Sequence, residues 1–315
     1  MVKNKKNVIA TNKKKRGLIH SLKNDYQLWI MLLPAIIVIL LFNYLPMYGI
    51  QLAFREYDFT KGITGGAFVG LKYFKQFITN FQFFTLMKNT VTLCLANIIF
   101  GFPAPIILAL MINQIRKKRL KGILQTTVYL PHFISMVVMV SLLLVLLNSN
   151  TGVIGKFLSF TGLAKFNLIG STATFLGVYV VSEIWQHCGW NSIIYLSALS
   201  SVDTGLYDAC KIDGANRFQI VRYVDIPALV PTIVILFILQ MGNILNTGFE
   251  KIFLMQNNLN LPVSEVISTY TYKIGIKSNQ FSYSAAIGLF NTLINFIFLI
   301  AVNKFSKKAA DISIF

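Results

Sequence analysis

Charge is scarce in this chain. Only 13% of its 315 residues are Asp, Glu, Lys or Arg, and acidic residues number 11. A soluble domain carries about 25% charged residues. With 55% hydrophobic residues and a mean hydropathy of +0.63, too little polar surface is left for a water-soluble globule, and the bilayer is the expected solvent. Cysteine is also rare. Cys94 and Cys188 sit in apolar segments, Cys210 sits in a polar loop, and no Cys-x-x-Cys spacing occurs, so the three read as packing residues rather than as disulfide or metal ligands. The histidines are His20, His132 and His187, without H-E-x-x-H, and no G-x-S-x-G is present. No G-x-x-x-x-G-K-[ST] occurs either, so ATP chemistry, if any is used, has to come from another chain. Alternating segments of about ten residues, the signature of a membrane barrel, are missing. The first apolar run begins after about 25 polar residues and lacks a small-residue cleavage pattern, which argues against a cleavable signal peptide.

What the chain does have is long apolar runs. Six reach the length of about 20 residues that a spanning helix needs: approximately Leu28–Leu45, Asn89–Ile112, Gln125–Leu147, Thr172–Ser200, Ala228–Leu245 and Ser284–Val302. They are expected to be helices, because a lone strand in lipid leaves its backbone groups unpaired. The fold class is therefore all-α, a polytopic membrane protein with six transmembrane helices. Pro103 and Pro105 are expected to kink the second.

The formal net charge of +18 raises the question of nucleic acid, but its distribution answers it. The positive clusters flank apolar runs: Lys3 to Lys23 in the amino-terminal tail, Arg116 to Lys121 between the second and third runs, and Lys304, Lys307 and Lys308 in the carboxyl tail. With six spans all three lie on one side, and the positive-inside rule makes that side cytoplasmic. No nucleic-acid partner is expected, and both termini are placed in the cytoplasm. Three regions follow: a basic tail over 1–24, a membrane domain over 25–303 with a polar loop at 203–227, and a second tail over 304–315. The outer connection Pro46–Lys88 carries Gly62, Gly65, Gly66 and Gly70, so it is expected to turn. Its many aromatic residues read as an interfacial belt or as a docking surface for an external partner.

The polar loop is balanced in charge, with Asp203, Asp208, Asp213 and Asp225 against Lys211, Arg217 and Arg222. Ala209, Ile212 and Phe218 are placed to line one helical face. Gly214 ends or bends a short helix, or admits close approach of another backbone. Pro227 fits the first turn of the fifth span, where a missing N–H costs nothing.

Within span four, Glu183, His187, Trp190 and Asn191 recur at helical spacing. A charge near the bilayer centre costs roughly 2.5–3.5 kcal/mol on insertion scales, so Glu183 should face protein or a wet cavity. One reading is a sugar path, with carboxylate and amide accepting hydroxyl hydrogen bonds and Trp stacking on pyranose faces. The other is a polar clamp between helices. Asn243, Asn246 and Glu250 extend the tentative path at the end of span five, with Asn97 and Gln240 as weaker candidates.

The loop Tyr207-Asp208-Ala209-Cys210-Lys211-Ile212-Asp213-Gly214-Ala215, closed by Val224-Asp225-Ile226-Pro227, resembles the EAA loop of ABC importer permeases. Asp208-Ala209-Cys210 fills the first slot, Gly214 follows three residues later, and Val224, Ile226 and Pro227 fill the last slots. Asp stands in place of the usual Glu, and Cys in place of the second Ala. The chain is similar to the maltose-type sugar permeases across the membrane portion. Supporting stretches are Tyr129-Leu130-Pro131, Ile184-Trp185 followed by Gly189, and Tyr195-Leu196-Ser197-Ala198-Leu199. Gly248–Met255 and Phe281–Asn291 look like LplB-type polysaccharide and oligosaccharide permeases.

The resemblance implies a permease subunit of the bacterial cell membrane. It works by alternating access in an ATP-driven, binding-protein-dependent importer of carbohydrate, with oligosaccharide the favoured class. It also implies a second homologous permease, two ATPase subunits that hold ATP and Mg, and an extracellular solute-binding protein, with no cofactor on this chain. Tyr207, Asp208, Ala209, Cys210, Asp213, Gly214, Ala215, Phe218 and Pro227 are the implied ATPase-coupling residues. Two other classes compete. An ion-coupled secondary transporter of a small polar solute would use Glu183 as carrier but calls for inverted repeats. A membrane enzyme built on Glu183 and His187 lacks a recognisable nucleophile or metal set.

Overall fold

The structure, a computed structural model, describes residues 26–148, 150–160, 168–246 and 248–314. The basic amino-terminal tail, and its expected orientation signal, lies outside the described residues. The helices run in chain order as α1 (Tyr26–Ile39), α2 (Lys72–Ile78), α3 (Phe83–Ala96), α4 (Pro103–Asn113), α5 (Lys118–Tyr129), α6 (Met136–Leu146), α7 (Val153–Phe160), α8 (Phe175–Ser200), α9 (Thr204–Ile212), α10 (Arg217–Ile220), α11 (Ile226–Met241), α12 (Phe249–Met255), α13 (Leu261–Ser264), α14 (Ile267–Tyr272) and α15 (Phe281–Ala310). Wider π-turns occupy Leu40–Tyr44, Asn97–Gly101, Val221–Asp225 and Lys273–Lys277. Among the described residues there is no strand, only the isolated bridges Arg55–Phe68 and Asp58–Gly62. The all-α expectation holds.

Two units make up the chain, Met1–Gln51 and Leu52–Phe315. The described part of the first is an apolar helical rod: α1, the π-turn that follows it, and a 3-10 stretch beginning at Leu45.

The second unit holds the packed helices. Among the described residues, four helical runs are long and apolar enough to cross a membrane: Tyr26–Phe54, Phe83–Asn113, Arg217–Met241 and Phe281–Lys308. The other two expected spans differ from simple rods. Gln125–Leu147 is not one helix: Lys118–Phe133 and Met136–Leu146 meet at 97°. Pro131 supplies no N–H, Ile134 and Ser135 turn extended, and the Ser135 side chain caps α6 by accepting from Val138 N. Thr172–Ser200 corresponds to α8, whose 26 residues reach roughly 39 Å at 1.5 Å per residue. It is long enough but too polar to qualify as an apolar span, because Glu183, Gln186, His187 and Asn191 interrupt it. Its neighbours are α4, α5 and α11; Gln186 is buried among them, Glu183 and His187 are partly buried, and Asn191 is exposed.

The fifth run begins at Arg217, well before the expected Ala228, since its charged first turns are helical too. Pro227 sits in the first turn of α11, as expected, immediately after the π-turn. Pro103 and Pro105 are handled in the same way. They follow the π-turn Asn97–Gly101, in which Phe102 N reaches back to Asn97 O, and the run Phe83–Asn113 continues through them. Helix α15 carries on to Ala310, past the expected domain end at 303, with Lys307 and Lys308 in its last turn where the helix dipole favours cations.

The glycine-rich stretch after Phe54 turns, with Gly62 at φ +70° and Gly70 at φ +57°. Part of the aromatic belt is core: Phe77 is buried and packs edge-on against Phe83 and Phe290. The connection after α11 folds inward as α12 to α14, burying Lys251, Asn260 and Ser264. Each is partnered; Asn260 Nδ2, for instance, donates to the carbonyls of Ile169 and Met255.

Candidate functional site

Helix α8 forms one wall of a cavity of about 420 Å³. It contributes Glu183, His187, Cys188, Asn191 and Tyr195; the π-turn and α4 contribute Asn97, Gly101, Phe102 and Pro105; α11 contributes Leu236 and Gln240. The packing beneath is apolar, with Ala109, Ile112, Tyr195, Leu196, Leu199 and Leu229 in one cluster. One contact fixes the approach of α5 to α8. A Cβ on Gly189 would lie 1.9 Å from the Val128 carbonyl oxygen, so only glycine lets these backbones meet.

Glu183, His187 and Asn191 reach the cavity together, as their spacing requires. Trp190 is not in the cavity lining; its ring lies parallel to His132, 4.6 Å away, and edge-on to Phe133. The 97° bend is what delivers those two residues. His132 Nδ1 also lies 3.0 Å from His187 Nδ1, one nitrogen donating and the other accepting. Buried Gln186 donates to the bend's Ile134 carbonyl at 3.0 Å. Asn97 and Gln240, the weaker candidates, both line the cavity.

The charge on Glu183 has a partner that the sequence did not point to. Lys251 of α12 donates to Glu183 Oε2 at 2.8 Å, while His187 Nε2 lies 3.6 Å from Oε1. The Lys251 ammonium also sits 5.3 Å from the Tyr179 ring. Its chain neighbour Glu250 is exposed in the first turn of α12. Asn246 accepts from Asn291 and donates toward Asn243. These contacts set Asn243, Asn246 and Glu250 apart from the Glu183 cavity wall, which does not include them. Only the adjacent Lys in an otherwise apolar stretch, Lys251-Ile252-Phe253-Leu254-Met255, hinted at the pair.

The polar loop is two short helices rather than one. Asp203 caps α9 by accepting from Gly205 N at 2.9 Å. At the other end Gly214 takes φ +78°, Gly214 N bonds Lys211 O, and Ala215 N bonds Cys210 O. These are the two hydrogen bonds of a Schellman C-cap, for which a left-handed residue is required. Of the readings for Gly214, helix ending is thus the one observed; a Cβ there would meet nothing within 4 Å. Phe218 consequently falls on α10, which Asn216 and Gln219 cap reciprocally, and not on the α9 face with Ala209 and Ile212. Lys211 pairs with exposed Asp208 at 2.8 Å. Ile212 and Phe218 are 87% and 73% exposed, which leaves apolar groups projecting from a polar loop.

Tyr207 turns inward instead. Its hydroxyl donates to Asp225 Oδ1 at 2.6 Å. Burial, and then that hydrogen bond, push the phenol up to about 12, so it remains a donor at neutral pH. Among the described residues no group of three or more His, Cys, Asp or Glu is arranged to hold a metal.

Residues 101–311 match the model of the family described as "Binding-protein-dependent transport system inner membrane component". The chain is 41% identical over 308 residues to the polygalacturonan/rhamnogalacturonan transport system permease protein YteP of Bacillus subtilis, covering 98% of this chain and 96% of that one. It is 40% identical over 289 residues to protein LplB of the same organism, covering 91% of each. It also resembles a chain in the crystal structure of a bacterial alginate ABC transporter in complex with alginate pentasaccharide-bound periplasmic protein. That likeness has a TM-score of 0.85 and 36% identity, and covers 94% of this chain and 99% of that one.

Proposed function

Because the chain belongs to the family of binding-protein-dependent transport system inner membrane components, we propose that it lines the pathway of an ABC importer whose substrate is an oligosaccharide. The chain is a permease of the membrane and not an enzyme. Its assembly is our reading: a second, similar permease completes the pathway, an extracellular solute-binding protein delivers the sugar, and two ATPase subunits hold ATP and Mg. The loop 203–227 and both termini face the cytoplasm, with the membrane domain over 25–303 between tails at 1–24 and 304–315.

Transport proceeds by alternating access. Docking of the binding protein and closure of the ATPase subunits open the cavity outward, and hydrolysis returns it inward. The ATPase dock comprises Tyr207, Asp208, Ala209, Cys210, Asp213, Gly214, Ala215 and Phe218, with Pro227 setting the start of α11. Sugar passes Glu183, His187 and Asn191, with Trp190 as an aromatic neighbour and Asn243, Asn246 and Glu250 further along. Glu183 serves there as a hydrogen-bond acceptor already neutralised by Lys251, which favours a hydroxyl-rich solute over a coupling ion.

The observation that supports the substrate class is likeness over nearly the whole chain to a permease of polygalacturonan and rhamnogalacturonan transport. The test is uptake by vesicles holding the importer purified through a tag on this chain. Labelled oligogalacturonides and maltooligosaccharides are offered with ATP and ion gradients varied separately. ATP-dependent uptake of an oligosaccharide that ignores the ion gradient is expected. Uptake that follows the gradient without ATP overturns the reading.

A further inference from the structure

Asp225 ends the π-turn Val221–Asp225 and has no exposed surface. Neutral donors from two other segments meet its carboxylate. Tyr207 Oη reaches Oδ1 at 2.6 Å, Asn113 Nδ2 approaches Oδ1 at 3.4 Å, and Gln114 Nε2 donates to Oδ2 at 2.8 Å. Among the described residues no Lys or Arg pairs with it. A buried carboxylate without a cation is costly unless hydrogen bonds satisfy it, and a hydroxyl donating to an ionised oxygen makes a short, strong bond. This group is therefore held by its donors and holds them in turn.

The three segments have distinct places in the molecule. Tyr207 belongs to α9, which buries none of its residues and projects Leu206 and Ile212 outward. Asn113 and Gln114 end α4, whose opposite end bears Pro105 in the cavity wall. Asp225 stands at the foot of α11, which bears Leu236 and Gln240 in the same wall. A rigid helix gripped at one end carries a displacement to the other, and a π-turn beside the grip is a common functional irregularity.

We propose that Asp225 is a positioning residue that joins α9 to α4 and α11, so that movement of the docked loop is passed to the cavity walls through the Tyr207–Asp225 hydrogen bond. The proposal rests on the reading of this loop as the ATPase dock. Tyr207→Phe removes the hydroxyl and keeps the ring; Asp225→Asn keeps the shape and removes the charge.

The experiment uses the whole importer, purified through a tag on this chain and placed in vesicles. Gln240→Cys, in a background with Cys94, Cys188 and Cys210 replaced by Ser, reports on the cavity through its rate of reaction with a small maleimide. That rate is compared with and without ATP plus vanadate. Unsubstituted at Tyr207 and Asp225, the importer should show a nucleotide-driven change in rate. Tyr207→Phe and Asp225→Asn should each cut that change by roughly half or more, and the double variant should cut it no further, as groups acting through one bond do. Each response is normalised to the ATPase subunits that co-purify, and the rate without nucleotide should stay at the parent's value even where the lost hydrogen bonds lower the unfolding temperature, a split that a merely structural role would not give. A full nucleotide response in Tyr207→Phe, or losses that add in the double variant, overturns the joint. The dock is tested apart from it: Ile212→Asp should strip the ATPase subunits, and their retention overturns the docking reading instead.

Discussion

Lys251 on α12 and Glu183 on α8 are joined by a 2.8 Å ion pair across 68 residues of sequence, with the lysine wholly buried. The acid on α8 is thus half of a structural unit as well as a group on the cavity wall. Its removal is therefore not a mild change, because it leaves a buried ammonium without its counter-charge.

Glu183→Gln should destabilise the assembled importer by about 3–5 kcal/mol, the usual cost of orphaning one member of a buried pair. Adding Lys251→Met to it should restore most of the loss. The midpoint of thermal unfolding in detergent measures both. A single variant as stable as the parent would mean that the pair contributes nothing.

Gly189→Ala should push α5 and α8 apart, since the new methyl would meet the Val128 carbonyl. A cost of about 1–3 kcal/mol and a lower yield of complex are expected, as for other overpacked contacts. Gly177→Ala, in the same helix with open space around it, is the control and should be neutral or slightly stabilising. Equal behaviour of the two variants would remove the close-contact argument.

Gly214→Val should strain the C-cap of α9 by roughly 1–2 kcal/mol, the cost of a left-handed conformation for an L side chain. Gly214→Asn should be tolerated better, because Asn enters that region more readily. ATPase stimulation by loaded binding protein should fall in the Val variant and largely survive in the Asn variant. The opposite ranking would show that side-chain bulk matters there and backbone conformation does not.

Asp311→Cys, placed just past α15 and exposed, should resist an impermeant thiol reagent in intact cells once Cys94, Cys188 and Cys210 are replaced. It should react after the cells are opened. Labelling from outside would reverse the proposed orientation.

Much of this was legible in the sequence because it is local. Apolar run length located the helices, Pro and Gly located turns, and Glu183, His187 and Asn191 share a stripe because a helix repeats every 3.6 residues. The Gly214 cap was readable as a helix end for the same reason. What escaped was non-local. Nothing in the spacing joins Lys251 to Glu183, or Tyr207 to Asp225 and Gln114. The expected span Gln125–Leu147 ran straight through Pro131, and the 97° turn there depends on Ile134 and Ser135 going extended and on Gln186 waiting across the gap. The polarity of α8 was visible, whereas its packing against α4, α5 and α11 was not.

The π-turn at Asn97–Gly101 makes the cavity sensitive to the number of residues as well as their kind. Such a turn holds one residue more than an α-turn. Deleting a single residue between Asn97 and Gly101 would let the helix close normally. Everything before it would then swing by about 100° relative to α4. Asn97, which now packs across Gly101 and faces the cavity, would be carried off the wall with no side chain exchanged. A one-codon deletion here is thus a way to redraw the lining of the cavity.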